Sequence, residues 1–252
     1  VLLLLHGNSF DGRVFDRQVG ILARRFRVIV ADLPGHGLSG HSSNGEAYTL
    51  TGMAEAILDA MATLCSSFAV YGWSLGGHVA LEMVRTSSCV EGAMISGAPP
   101  LGPGLLSLLS SFKPNLIARL AAKESWTDEQ FARFHSKALG RDLGLLPYSP
   151  DGKARPIIAR SLLKGVGRLQ RAVVEQGNTP VHLIATDSDP FLRPGYMLNV
   201  KPACDPLNGT TLIKSSGHAP FIDQPSKFDT IVTNFMNALH RGADVYDLQA
   251  SR

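Results

Sequence analysis

Long hydrophobic runs are missing from this chain. The apolar opening Val1-Leu2-Leu3-Leu4-Leu5 is only five residues, against the roughly 20 that a helix needs to cross a bilayer. No basic leader or cleavage site accompanies it, so neither a membrane span nor a signal peptide is expected, and the run reads as a buried strand. Cysteine is scarce: Cys65, Cys89 and Cys204 make an odd count without a Cys-x-x-Cys or Cys/His spacing. That excludes a disulfide framework and a zinc site, and favours a cytoplasmic setting with no metal and no cofactor. Basic runs with interleaved aromatics are also lacking, and a formal charge of +3 is too small and dispersed for nucleic acid to be a partner. The charge is uneven, however: residues 101–178 hold 12 Lys and Arg against 6 Asp and Glu, the rest 12 against 15. A solvated helical surface accounts for most such segments, recruitment of an anionic substrate for a few. Repeats and low-complexity tracts are absent too.

The chain of 252 residues, 44% of them hydrophobic, can bury a full core, and one domain with an insertion fits its length better than two equal domains. Short β-favouring runs alternate with helical patterns, as parallel βαβ units do. Strands are expected at 1–5, 27–31, 68–72, 91–96, 181–186 and 210–214, with helices near 13–24, 48–64, 75–86 and 226–240, the last capped by Ser226. The fold class is therefore α/β, a mostly parallel sheet flanked by helices. Between Pro99-Pro100 and Pro180 about 80 residues intervene, where one crossover helix needs roughly 10 to 15. This points to a helical cap at 101–178 inserted into a core of 1–100 and 179–252. Leaving a strand at its carboxyl end, the insertion lies on the ligand-binding side of such a sheet.

Gly72-Trp73-Ser74-Leu75-Gly76 lies between the β-favouring Phe68-Ala69-Val70-Tyr71 and a stretch of helical spacing. Glycines two residues either side of Ser74 permit a strand-to-helix turn tight enough to lift its hydroxyl for attack. A serine needs a base, the base an orienting acid, and the developing oxyanion its donors. His218, in Ser215-Ser216-Gly217-His218-Ala219-Pro220, follows the last expected strand and is the expected base. His41, His78, His135, His182 and His240 read as surface or satisfied core residues. In Thr186-Asp187-Ser188-Asp189-Pro190, Asp189 is the preferred acid and Asp187 the alternative, turn capping being what either could do instead. The oxyanion donors are expected to be the backbone N–H groups of Leu75 and, from the loop His6-Gly7-Asn8, of Asn8. Gly35-His36-Gly37-Leu38-Ser39-Gly40 matches the dinucleotide pattern in letters only, because Pro34 precedes it and no helix starts inside it.

His6-Gly7-Asn8-Ser9, Asp32-Leu33-Pro34-Gly35-His36-Gly37, Gly72-Trp73-Ser74-Leu75-Gly76-Gly77-His78 and Gly217-His218-Ala219-Pro220-Phe221 resemble the α/β-hydrolase superfamily over residues 1–100 and 180–240. Within it the chain is most similar to the α/β-hydrolase type of N-acyl homoserine lactone lactonase, which also shares Pro99-Pro100, Asp189-Pro190-Phe191 and an echo of Asp151-Gly152-Lys153-Ala154-Arg155. The resemblance implies a Ser74-His218-Asp189 triad, a small-molecule ester or lactone substrate, and a pocket formed by the cap with Trp73 and Phe131. It also implies two departures. Phe131 stands where the lactonase cap offers a tyrosine hydroxyl, and the chain starts at the family's third strand, which suggests a truncated sequence with a bare edge at 27–31. A general carboxylesterase, a carbon-carbon bond hydrolase with the same triad, and a ligand receptor on a hydrolase fold are the alternatives. Epoxide hydrolases and haloalkane dehalogenases are disfavoured, since they place a carboxylate where this chain has Ser74.

Overall fold

The computed structural model describes residues 1–141 and 150–250; residues 142–149 of the expected insertion lie outside the described residues. Its six strands are β1 (Leu2–Leu5), β2 (Val28–Ala31), β3 (Phe68–Trp73), β4 (Val90–Ser96), β5 (Val181–Thr186) and β6 (Thr211–Ile213). They pair in the order β2-β1-β3-β4-β5-β6, every pair parallel. All six agree with the expected strands to within one residue at each end. The four leucines of β1 are fully buried, as a parallel strand covered on both faces requires, whereas β2 at the sheet edge is half-buried along its length.

Helices α1 (Asp16–Leu22), α2 (Leu50–Ala62) and α3 (Leu75–Thr86) are the crossovers among the first four strands. The expected helix at 13–24 begins as a 3-10 turn over Gly12–Phe15, because the Asp11 side chain accepts from Arg13 N–H and caps that turn. Thr49 caps α2, its side chain accepting from Gly52 N–H at 3.0 Å, and Leu50, Met53, Ala54, Ile57 and Met61 form its buried face. After β6 come α9 (Pro220–Asp223) and α10 (Pro225–Ala250). Ser226 therefore lies inside α10 and does not cap it. The helix starts one residue earlier on Pro225, whose missing N–H is no loss in a first turn. Among the described residues no helix is long and apolar enough to cross a membrane.

Between β4 and β5 the chain forms α4 (Leu105–Ser111), α5 (Asp128–Leu139), α6 (Ala154–Lys164) and α7 (Gln170–Gln176); α8 (Pro194–Asn199) follows β5. A capping box of Thr127 and Gln130 starts α5, and Gly140, at φ 70°, ends it. Several bonds tie this helical stretch to the sheet's loops. Asn8 Nδ2 donates to Ala121 O at 3.0 Å, Tyr48 Oη to Asp151 Oδ2 at 2.7 Å, and Leu50 N–H to Ser161 Oγ at 3.0 Å. Arg155, buried on α6, donates from Nε to Lys123 O at 2.6 Å and from Nη2 to Glu124 O, with its guanidinium 4.1 Å above the Trp126 ring. Leu105, Leu106, Leu109 and Leu116, apolar in the sequence, remain exposed.

Candidate active site

The loops at the carboxyl ends of β1, β3, β4, β5 and β6 converge. Ser74 falls between the last residue of β3 and the first of α3, with φ 54° and ψ −116°, a backbone region that costs about 1–3 kcal/mol and persists only where its surroundings enforce it. The enforcement is visible. Ser74 N–H donates to Ser96 O at 2.9 Å and Gly76 N–H to His6 O at 3.0 Å. A β-carbon at residue 72 would collide with the Gly76 carbonyl, and one at residue 76 with the carbonyl of Leu5. The two flanking glycines therefore serve close backbone approach, as their spacing suggests.

His218 is buried, and its Nδ1 lies 2.7 Å from Asp189 Oδ2. The other carboxylate oxygen of Asp189 accepts from Phe191 N–H at 2.8 Å and Leu192 N–H at 3.0 Å. Burial pushes the Asp189 carboxyl up, but the charge of His218, its hydrogen bond and the two backbone donors outweigh burial and hold the group below the usual carboxylate range. Asp187, the alternative acid, is exposed and does other work: it accepts from Ser215 N–H at 3.0 Å and Ser216 N–H at 3.3 Å, fixing the loop that carries His218. Gly97, at φ 63°, makes room for the imidazole, since a β-carbon there would stand 2.8 Å from His218 Cε1.

Ser74 and His218 line one cavity of about 440 Å³, together with Asn8 and Leu75. Its remaining wall is largely apolar, with Phe112, Phe134, Ile158, Leu162 and Phe191 among its residues. Among the described residues neither Asn8 N–H nor Leu75 N–H has an acceptor. The Asn8 side chain is spent on the loop, accepting from Ser9 Oγ at 3.2 Å while donating to Ala121 O.

Two expected pocket residues are corrected. Trp73 is fully buried and outside the cavity lining; its indole Nε1 donates to His218 O at 2.7 Å, so it anchors the backbone of His218. The reason is the strand's alternation: the side chain before Ser74 points into the core, where it packs on Phe10 and Phe221. Phe131 is also absent from the lining. It stacks on His135 at 4.0 Å, and Phe134, one helical turn on, faces the cavity instead. In the other direction, His78 lines the cavity although it reads as a core histidine; its place four residues after Ser74, on the same helix face, was the available signal. The glycine-rich stretch 35–40 cradles a carboxylate, not a phosphate: Asp32 accepts from Gly12 N–H at 2.7 Å and Leu38 N–H at 2.8 Å, and a β-carbon at Gly37 would strike it.

Three histidines near this machinery are held neutral mainly by burial: His36 is lowered to about 3, and His78 and His135 to about 4, from 6.5. The unfolded chain binds protons at these residues near pH 6.5 while the fold resists them until pH 4 or below. Their contribution is thus complete above pH 6.5 and is lost as pH falls toward 4, each histidine costing up to about 1.4 kcal/mol per pH unit in that window. Urea unfolding at pH 7.5 and 5 is expected to show a lower midpoint at pH 5; equal midpoints would contradict this.

Comparison with known proteins gives a consistent picture. Residues 2–229 match the model of the Alpha/beta hydrolase family. The chain is similar to the crystal structure of the S102G mutant of the N-acyl homoserine lactonase AidH complexed with N-hexanoyl homoserine lactone, at 29% identity and TM-score 0.87, covering 95% of this chain and 90% of that one. It is 28% identical to a pimeloyl-[acyl-carrier protein] methyl ester esterase of Aeromonas hydrophila subsp. hydrophila over 93% of this chain and 94% of that protein. It is also 31% identical to the magnesium-chelatase 30 kDa subunit of Rhodobacter capsulatus, over 75% and 70%.

Proposed function

The chain belongs to the alpha/beta hydrolase family, and from that premise we propose that it hydrolyses carboxylic esters, lactones among them, through a covalent acyl-enzyme on Ser74. The observation that carries this reading is one cavity bounded by a strained serine, a histidine paired with a buried carboxylate, and two backbone N–H groups that have no acceptor among the described residues. Asp189 keeps the proton of His218 on Nδ1, which leaves Nε2 as the acceptor for the Ser74 proton. Ser74 Oγ attacks the carbonyl carbon, His218 takes the proton, and Asp189 stabilises the imidazolium that forms. The oxyanion is received by the N–H groups of Asn8 and Leu75, the latter at the positive end of α3. His218 then returns its proton to the leaving alcohol, and a water activated by the same imidazole releases the acid.

Residues 101–178 serve in this reading as a cap over the core of 1–100 and 179–252, and the apolar wall accepts the acyl chain. The cavity's size falls in the ~300–1,000 Å³ range of small-molecule sites. A lactone is the cyclic case of the same chemistry, and the similarity to the lactonase supports including it. A panel of acyl homoserine lactones with short and long p-nitrophenyl esters tests the proposal. The expected result is multiple turnover of at least one class, lost in the Ser74→Ala protein. Turnover of none, or turnover equal in the variant, would overturn it.

A further inference from the structure

His78 is the buried polar residue of the cavity wall that the reaction above leaves unused. It sits on α3 one turn beyond the nucleophile, its backbone N–H donating to Ser74 O at 3.2 Å, and the residue is 4% exposed. Gln170, on α7, fixes its protonation. The Gln170 side-chain amide donates from Nε2 to the His78 carbonyl at 3.0 Å, and a carbonyl oxygen can only accept. The amide orientation is thereby set, and Oε1 stands 2.7 Å from His78 Nδ1. An acceptor at that position requires Nδ1 to carry the hydrogen. Burial lowers the imidazole to about 4 against the pull of that bond, so the ring is neutral near pH 7 and Nε2 presents a bare lone pair. Among the described residues no donor reaches Nε2, although the ring lines the cavity. Nε2 is therefore the lone pair that the ring offers to a group entering the cavity.

We infer that His78 Nε2 determines specificity by accepting a hydrogen bond from an N–H or O–H group on the substrate, about one helical turn (~5 Å) from the carbonyl that Ser74 attacks. The inference rests on the ester-hydrolase reading and narrows its substrate class to esters or lactones that carry an amide or hydroxyl donor beside an otherwise apolar chain. The surrounding wall is largely apolar, so a bound substrate without such a donor leaves Nε2 desolvated and unpaired, which lowers its rate relative to one that has it.

The test uses two matched series of p-nitrophenyl esters, CH3CO-NH-(CH2)n-CO- and CH3CO-CH2-(CH2)n-CO-, with the spacer lengthened one methylene at a time. For at least one spacer, the wild-type protein is expected to favour the amide over its ketone partner by about tenfold or more in kcat/KM. In His78→Leu that ratio is expected to fall to within about twofold of one. Gln170→Leu keeps the ring but frees its tautomer, and the ratio should shrink there as well; this variant and the wild-type ratio decide the matter if His78→Leu does not fold. Wild-type turnover without preference at any spacer, or a preference that survives either substitution, would overturn the role of His78 alone. Wild-type turnover of neither series would overturn the hydrolase reading and the role of His78 with it.

Discussion

Replacing Ser74 with alanine is expected to reduce ester turnover by a factor on the order of 10⁴ to 10⁶ while leaving the fold intact. The loss is large because every later step needs the acyl-enzyme: without Oγ, the histidine, carboxylate and oxyanion donors have only water to activate. The fold survives because the strained φ of 54° is imposed from outside residue 74, by the Ser96 and His6 carbonyls and by the glycines at 72 and 76. Alanine has the same backbone preference as serine here and is smaller. A thermal midpoint within about 3 °C of the wild type, measured beside the kinetics, separates loss of chemistry from loss of structure.

Asp189→Asn is expected to lower kcat by about 10⁴-fold near neutral pH, through the wrong tautomer of His218. The two oxygens of Asp189 do different work. One accepts from the N–H groups of Phe191 and Leu192, and the other faces His218 Nδ1 at 2.7 Å. In the asparagine, the backbone donors hold the amide oxygen, so the NH2 group turns toward His218. Nδ1 must then accept, and the ring proton moves to Nε2, where it can no longer take the proton of Ser74. Asp187→Asn is the matching control. That side chain holds the 215–216 backbone from the surface, so its kcat should change by less than about threefold if the loop stays in place. A larger loss in Asp187→Asn than in Asp189→Asn would reverse the assignment of the acid.

The sheet was legible in the sequence because its determinants are local. The run Leu2–Leu5 is apolar on both faces, which suits a strand covered on both sides. The strand-to-helix turn at Ser74 was legible for a similar reason: a motif of glycines and serine between a strand pattern and a helix pattern has few structural solutions. Asp189 is preferred over Asp187 in the sequence because it stands further past the end of β5, and its carboxylate is the one buried against His218. The pocket wall was least legible. Trp73 and Phe131 are large and close to the motifs in sequence, yet strand alternation and the rotation of α5 turn both away from the cavity. Phe134 and Ile158 face it because of how distant helices pack, which no local pattern encodes. His78 reads as a core histidine because a histidine on a buried helix usually satisfies both its nitrogens internally, whereas among the described residues only Nδ1 has a partner.

If Ser74 is the nucleophile, it is the residue that a covalent serine-hydrolase inhibitor captures. The wild-type protein would be incubated with an alkyl fluorophosphonate until ester turnover stops, digested, and the modified residue located by mass spectrometry. One phosphonyl group per chain, on Ser74, is expected. Complete inactivation with the label on any other residue, or full turnover persisting with Ser74 modified, would contradict it.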